Sequence, residues 1–221
     1  MVSLPMHQRI SRRLRNWYCS RARDFPWRHE RDPFRIFVAE MLLRKTRAEA
    51  VTPVYLKLVD RWSGPSQLAA ADPSELAGLL RPLGLHNVRT NALIDAAAIM
   101  AERYAGLVPR DSVALQALPH AGRYVANATL CFAFGERRPV VDSNVARVFS
   151  RAFAATVPRE IHKADEIWEF AYELLPSGAL AVKQHNWALL DLGALLCIPR
   201  APRCAACPIR SDCLHGRATL T

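Results

Sequence analysis

Lysine is scarce in this chain. Four of its 30 basic side chains are lysine (Lys45, Lys57, Lys163 and Lys183), and the rest are arginine. Any chemistry that needs a nucleophilic amine therefore has four side chains to draw on. Long apolar runs are missing too, and no stretch approaches the ~18 residues of a membrane span. The start, "MVSLPMHQRISRRLRNW", is charged within its first turns and has no apolar core of a signal peptide. The expectation is a cytoplasmic monomer with no membrane partner. Period-two alternation, internal repeats and long linkers are likewise absent, which argues against a sheet protein and marks no domain boundary by composition.

What is present is ordinary in bulk. The 221 residues are 51% apolar and 23% charged, enough for a packed core in one large domain or two small ones. The net charge of +10 attracts polyanions without specificity. The apolar pattern is helical nearly throughout. Phe34, Phe37, Val38, Met41 and Leu42 recur at helix spacing, as do Leu93, Ala97, Met100 and Tyr104, and then Val145, Val148 and Phe149. Residues 160–175 and 184–196 read as two more helices. "DPSEL" places an N-cap before a proline at the first helical position. Turn signals such as "SGPS", "GLVPRDS" and "LLPSG" separate these segments. The fold class is all-α, with ten or more short helices.

Two features carry chemistry. The first is "LPHAGRYVANATLCFAFGERRPVVDSN", residues 118–144: a small-residue turn, an apolar helix, a basic loop and an acid at the mouth of the next helix. Amides exposed at such a turn bind phosphate without regard to sequence. Packing plus a helix cap is one reading of Tyr124 and Asp142; two walls of a catalytic cleft is the other. The second is "CIPRAPRCAACPIRSDC", in which Cys197, Cys204, Cys207 and Cys213 are spaced C-x6-C-x2-C-x5-C. Four thiolates so close repel unless something cationic lies among them. A disulfide is disfavoured in a reducing compartment. Structural zinc usually takes two tight C-x2-C pairs, and only one is present. A [4Fe–4S] cluster suits an irregular four-cysteine loop better, with zinc and unliganded thiols as the alternatives. Cys19 and Cys131 stand alone on apolar segments and read as buried thiols.

The cysteine spacing and its C-terminal place resemble the cluster loop of the endonuclease III and MutY superfamily of DNA glycosylases. The likeness extends over nearly the whole chain, through "FPWRHERDPFRIFVAEMLLRKT", "LRPLGLHNVRTNAL" and "HNWALLDLGALLCIPRAPRC". It implies residues 23–134 as a six-helix barrel, with residues 1–22 and 135–221 as the iron–sulfur domain and a cleft between them. It implies a helix–hairpin–helix at "ALQALPHAGRYVANAT", where His120, Ala121, Gly122 and Arg123 meet a phosphate. His120 stands where the family has glycine and Ala121 where it has valine, so the hairpin is expected to be reshaped. Asp142 matches the catalytic aspartate, and Asn144 an asparagine that holds the site. The position of Tyr124 holds lysine in the strand-cutting branch, serine in MutY proteins and tyrosine in thymine–DNA mismatch glycosylases. Glu40 lies off the apolar stripe of its helix, which alone suggests a solvated side chain. The resemblance instead turns it toward the base pocket as acid or water-positioning group. Lys45 matches a residue that enters the duplex, and Leu85 an apolar wedge, with His86 and Arg89 as support. Trp187 replaces a smaller residue. Arg200, Arg203 and Arg210 are expected to face DNA.

The implied activity is hydrolysis of the N-glycosidic bond of a flipped base in double-stranded DNA, without strand cutting, because tyrosine forms no imine. Thymine or uracil opposite guanine is the expected target. Adenine opposite guanine or its oxidised form is the alternative, weakened because the sequence ends just past the cysteines, where MutY proteins usually carry a further domain. A DNA-binding module without catalysis, and a zinc-stabilised DNA-binding protein, are rivals from other classes.

Overall fold

The computed structural model describes residues 5–218. Among them every regular element is helical: thirteen α-helices and three short 3-10 turns. The chain divides into two compact units, Met1–Arg23 with Gly135–Thr221, and Asp24–Phe134.

Helix α1 (Met6–Arg21) belongs to the first unit. The Asp24–Phe134 unit holds α2 (Pro26–His29), α3 (Pro33–Leu43), α4 (Ala48–Arg61), α5 (Pro65–Ala69), α6 (Pro73–Leu80), α7 (His86–Arg103), α8 (Ser112–Ala117) and α9 (Arg123–Phe132). Its axis is α3, which packs on α4 and α9. The sequence starts this helix sharply. Asp32 Oδ1 accepts from the Phe34 amide at 2.8 Å, and Pro33 fills the first position. "DPSEL" works the same way at α6, where Asp72 Oδ1 accepts from the Glu75 amide at 2.8 Å. Helix α3 is buried on every side from Ile36 to Leu42. The expected stripe of Phe34, Phe37, Val38, Met41 and Leu42 is only part of its contact surface, and Glu40 is buried with the rest. A stripe argument assumes a helix with one wet face, which this one lacks.

The other unit completes itself with α10 (Ser143–Phe153), α11 (Asp165–Glu173), α12 (Ala179–Leu195) and α13 (Leu214–Ala218). Helix α12 starts five residues ahead of the expected 184, because Gly178 at φ 87° provides the turn into it. The 160–175 segment splits into a 3-10 turn over Ile161–Lys163 and α11. Helix α1 lies along α12, burying Ile10, Ser11 and Leu14. Cys19 falls outside that stripe and is exposed, contrary to expectation, whereas Cys131 is buried. Trp187 stacks on Tyr18, rings 6.1 Å apart, and so belongs to the α1–α12 seam.

Two buried groups in that seam give testable consequences. Asp191 is fully buried and takes the Arg23 Nε at 2.7 Å and the Arg23 amide at 3.1 Å. Removing the guanidinium takes a side-chain partner from a fully buried acid, whereas removing the acid leaves a partly exposed arginine that can reach water. Arg23→Ala should therefore cost about 3 kcal/mol, and Asp191→Asn clearly less, in urea unfolding. His185 is also buried, with Nδ1 3.0 Å from Ser11 Oγ. Burial first, and the Arg15 charge second, push its pKa from 6.5 down to about 3. The unfolded chain then binds the extra proton between those values, so this contribution is whole above pH ~6.5 and fades as pH falls toward 3. The expected slope is about 1.4 kcal/mol per pH unit. His185→Gln should flatten it; an unchanged slope would remove His185 as the cause.

Candidate active site and nucleic-acid interface

In the Asp24–Phe134 unit the packed pair α3 and α9 carries two of the expected site residues. Glu40 is 3% exposed near the end of α3. Tyr124, second residue of α9, is half-buried and packs on the hydrophobic core. Its phenol offers a hydrogen-bonding tip and no amine.

The hairpin joins α8 to α9. Asp111 Oδ1 caps α8 by accepting from the Ala114 amide at 2.8 Å. The turn closes with the Ala121 amide on the Leu118 carbonyl at 3.0 Å. His120 occupies the left-handed region at φ 60°, where the family pattern has glycine, and it is exposed. Gly122 precedes α9, and no side chain caps that start. Ala121 is fully buried and its amide is taken by the Leu118 carbonyl, so it shapes the turn.

Two further loops share the left-handed trait. Lys45 follows α3 at φ 55° and is exposed; Leu85 precedes α7 at φ 52° and is 65% exposed. Non-glycine residues hold this conformation only where surroundings impose it, and such residues gather at functional sites. His86 begins α7 beside them. Arg89 does not face outward as a phosphate ligand would. Its guanidinium turns into the protein, donating to the carbonyls of Gly84, Leu42 and Arg44 at 3.0, 3.1 and 2.9 Å.

In the other unit Asp142 is the N-cap of α10. Its Oδ1 accepts from the Val145 amide at 2.8 Å and its Oδ2 from Asn144 Nδ2 at 2.8 Å. Asn144 Oδ1 accepts from Arg147 Nη2 at 2.8 Å. Arg147 also donates to the carbonyls of Gly193 and Cys197, each at 2.8 Å. Arg151, one turn on, reaches the carbonyls of Ile198 and Pro199 at 2.7 Å and Cys197 Sγ at 3.4 Å. The cap and the catalytic reading of Asp142 are thus compatible: one oxygen holds the helix, and the other is fixed by Asn144. Arg147, Arg151 and Gly193 were not singled out in the sequence. Asn144, Arg147 and Arg151 are spaced three and four apart, which puts them on one helical face. The extended segment before Asp142 is pinned by buried Asn186, whose Oδ1 accepts from the Val140 amide and whose Nδ2 donates to the Arg138 carbonyl.

Cys197, Cys204, Cys207 and Cys213 line one pocket of about 360 Å³, part of it open solvent, with Val148, Leu192 and Ile209 as apolar wall. Among the described residues no three such side chains converge as ligands of a single ion. Four thiols facing one pocket are a donor set able to hold a metal group. Burial, then the neighbouring cysteines, raise the Cys207 thiol to about 11, and burial raises Cys213. Thiolates here need a positive partner. Asp212, next to Cys213, anchors the loop to α1 through Arg9 and Arg13, each at 3.0 Å.

The profile described as "HhH-GPD superfamily base excision DNA repair protein" matches residues 38–172. The chain belongs to that superfamily. A thymine/uracil-DNA glycosylase of Methanothermobacter thermautotrophicus is 35% identical over 206 residues, covering 93% of this chain and 92% of the relative. An adenine DNA glycosylase of Mycolicibacterium smegmatis is 37% identical, over 89% of this chain and 66% of the relative. Among solved structures, a thermostable thymine-DNA glycosylase superposes with a TM-score of 0.89 at 32% identity, covering 96% of this chain and 97% of that one. By this kinship the protein is a DNA glycosylase, an enzyme that hydrolyses N-glycosyl bonds in DNA. The all-helical architecture expected from periodicity is that of the superfamily. Among the described residues no helix of this glycosylase is long and apolar enough to cross a membrane.

Proposed function

We propose that the enzyme is a monofunctional mismatch glycosylase that removes thymine or uracil opposite guanine. Tyr124 carries this reading. Strand cutting needs an amine at the sugar C1′, and the residue at the head of α9 has none. Water is then the nucleophile, and the abasic product stays intact. Kinship with a thymine/uracil-DNA glycosylase over nine-tenths of both chains supports the target base.

Asp142 offers a fixed carboxylate to the positive charge that grows on the sugar as the bond breaks. Glu40 protonates the leaving base or orients water. Lys45 and Leu85 occupy the space the base leaves, and His86 supports them. The amides at the uncapped start of α9 hold a phosphate, with His120 beside it. Residues 23–134 are the barrel, and residues 1–22 with 135–221 are the iron–sulfur domain. The four cysteines hold a [4Fe–4S] cluster, whose part is to order the 197–213 loop and the arginines on it. The enzyme works as a monomer on duplex DNA with a mispaired base, which costs less to unpair than a matched one.

Adenine is the second reading, favoured by the 37% identity to an adenine DNA glycosylase. Mass spectrometry of free base released from T:G, U:G, A:G and A opposite oxidised guanine separates them. Thymine or uracil is the expected product. Adenine alone would replace the proposed substrate, and no base from any duplex would overturn the proposal.

A further inference from the structure

Arg89 sits at the start of α7 and carries five N–H donors in a fixed fork. All five have acceptors. Nε meets the Gly84 carbonyl at 3.0 Å. Nη1 meets the carbonyls of Leu42 at 3.1 Å and, more weakly, Met41 at 3.5 Å. Nη2 meets the Arg44 carbonyl at 2.9 Å and Thr46 Oγ1 at 2.6 Å. Burial, and then the like charge of Arg44, lower its pKa, so the position costs something to charge. Few single side chains tie together so much backbone that is distant in sequence.

The acceptors belong to three parts. Met41 and Leu42 supply carbonyls from the last turn of α3, where an α-helix leaves them without partners and where a cation is favoured. That helix carries Glu40. Arg44 and Thr46 flank Lys45 in its left-handed conformation, and Gly84 precedes Leu85 in the same conformation. Non-glycine residues hold this conformation only where their surroundings impose it. Leu85 keeps an apolar side chain 65% exposed, which gains nothing in the free protein.

We propose that Arg89 is a positioning residue that locks the Lys45 loop and the Leu85 loop onto the end of α3 as one rigid part, so that wedge and gap-filler enter the duplex in fixed register. The inference rests on the glycosylase reading above. Preorganisation of this kind matters at the step where the base leaves the stack, because an unlocked loop must be ordered at that moment. It matters little for holding a matched duplex, since no Arg89 donor is left for a phosphate.

The test compares wild type, Arg89→Ala, Arg89→Lys and Thr46→Val in single-turnover base release. On U:G duplex Arg89→Ala should slow the maximal rate between about ten- and a hundredfold. Arg89→Lys should recover only part of it, because one ammonium cannot span five acceptors. Thr46→Val, which removes a single acceptor and keeps the arginine, should show a smaller loss in the same direction and serves if Arg89→Ala does not fold. Two readouts separate positioning from general damage. With uracil opposite an abasic site, already unstacked, the Arg89→Ala deficit should shrink to within about threefold, since little flipping remains to be driven. The salt dependence of binding to matched duplex should be unchanged, whereas losing one phosphate contact would lower its slope by about 0.9. Wild-type rates in Arg89→Ala, an equal loss on the unstacked substrate, or a reduced salt slope would each overturn the proposal. Should wild type release no base at all, the functional reading fails separately. The clamp is then judged by hydrogen exchange at residues 43–46 and 84–86, which must quicken in Arg89→Ala if the lock is real; unchanged protection overturns it.

Discussion

Asp142→Asn is expected to reduce base release by about a thousandfold or more while leaving the fold and DNA affinity nearly intact. The separation of effects follows from the two oxygens. Oδ1 caps α10 by accepting from the Val145 amide at 2.8 Å, and asparagine caps helices as well as aspartate does. The stability cost should stay below ~1 kcal/mol. Oδ2 is held by Asn144, and it is the charge there that a growing positive sugar needs. An amide has no such charge, and its N–H₂ would face the Asn144 amide nitrogen. Thermal unfolding and gel-shift on a U:G duplex check the first part, and single-turnover release the second. Activity within tenfold of wild type would remove Asp142 from the chemistry and return it to the plain reading of a helix cap.

Gly193→Ala is expected to cost about a hundredfold in rate at a residue that offers no functional group. A Cβ on Gly193 would lie 2.7 Å from Asn144 Cβ and 3.1 Å from its carbonyl carbon and oxygen. Those atoms are at or next to the backbone, so they yield only if the start of α10 moves away from α12. The Gly193 carbonyl also takes Arg147 Nη2, which holds Asn144, which holds Asp142. One methyl group therefore shifts the carboxylate through a chain of contacts. Overpacking of this sort typically costs 1–3 kcal/mol of stability, about enough to be seen and not enough to unfold the protein. Arg147→Met is the companion: it keeps the helix and removes the link, and should give a similar loss of rate with a smaller loss of stability. If Gly193→Ala keeps full activity, the 142–144–147 network does not set the position of Asp142.

Helical class, the N-cap at Asp72, and the turn before α9 were legible because each is written locally. Period, cap residue and proline lie within a few positions of one another. The cysteine loop was legible from spacing alone. Glu40 was not. Its wheel position suggested solvent, and only packing on both faces of α3 buries it. Arg89 and Ala121 were legible as parts of their motifs, but the inward turn of one and the burial of the other were not, since a motif gives position in the chain and not the direction of a side chain. Arg147, Arg151 and Gly193 were invisible for another reason. Their roles exist only where α10 meets α12 and the cysteine loop, fifty residues away in sequence.

The central claim, hydrolysis without strand cutting, is tested most directly by single-turnover reaction of wild-type enzyme with an end-labelled U:G duplex, read with and without alkali and with borohydride present. Breaks are expected only after alkali, with no enzyme–DNA adduct trapped by borohydride, because Tyr124 supplies no amine. Breaks without alkali, or a trapped adduct, would show that a lysine reaches the sugar and would contradict the account.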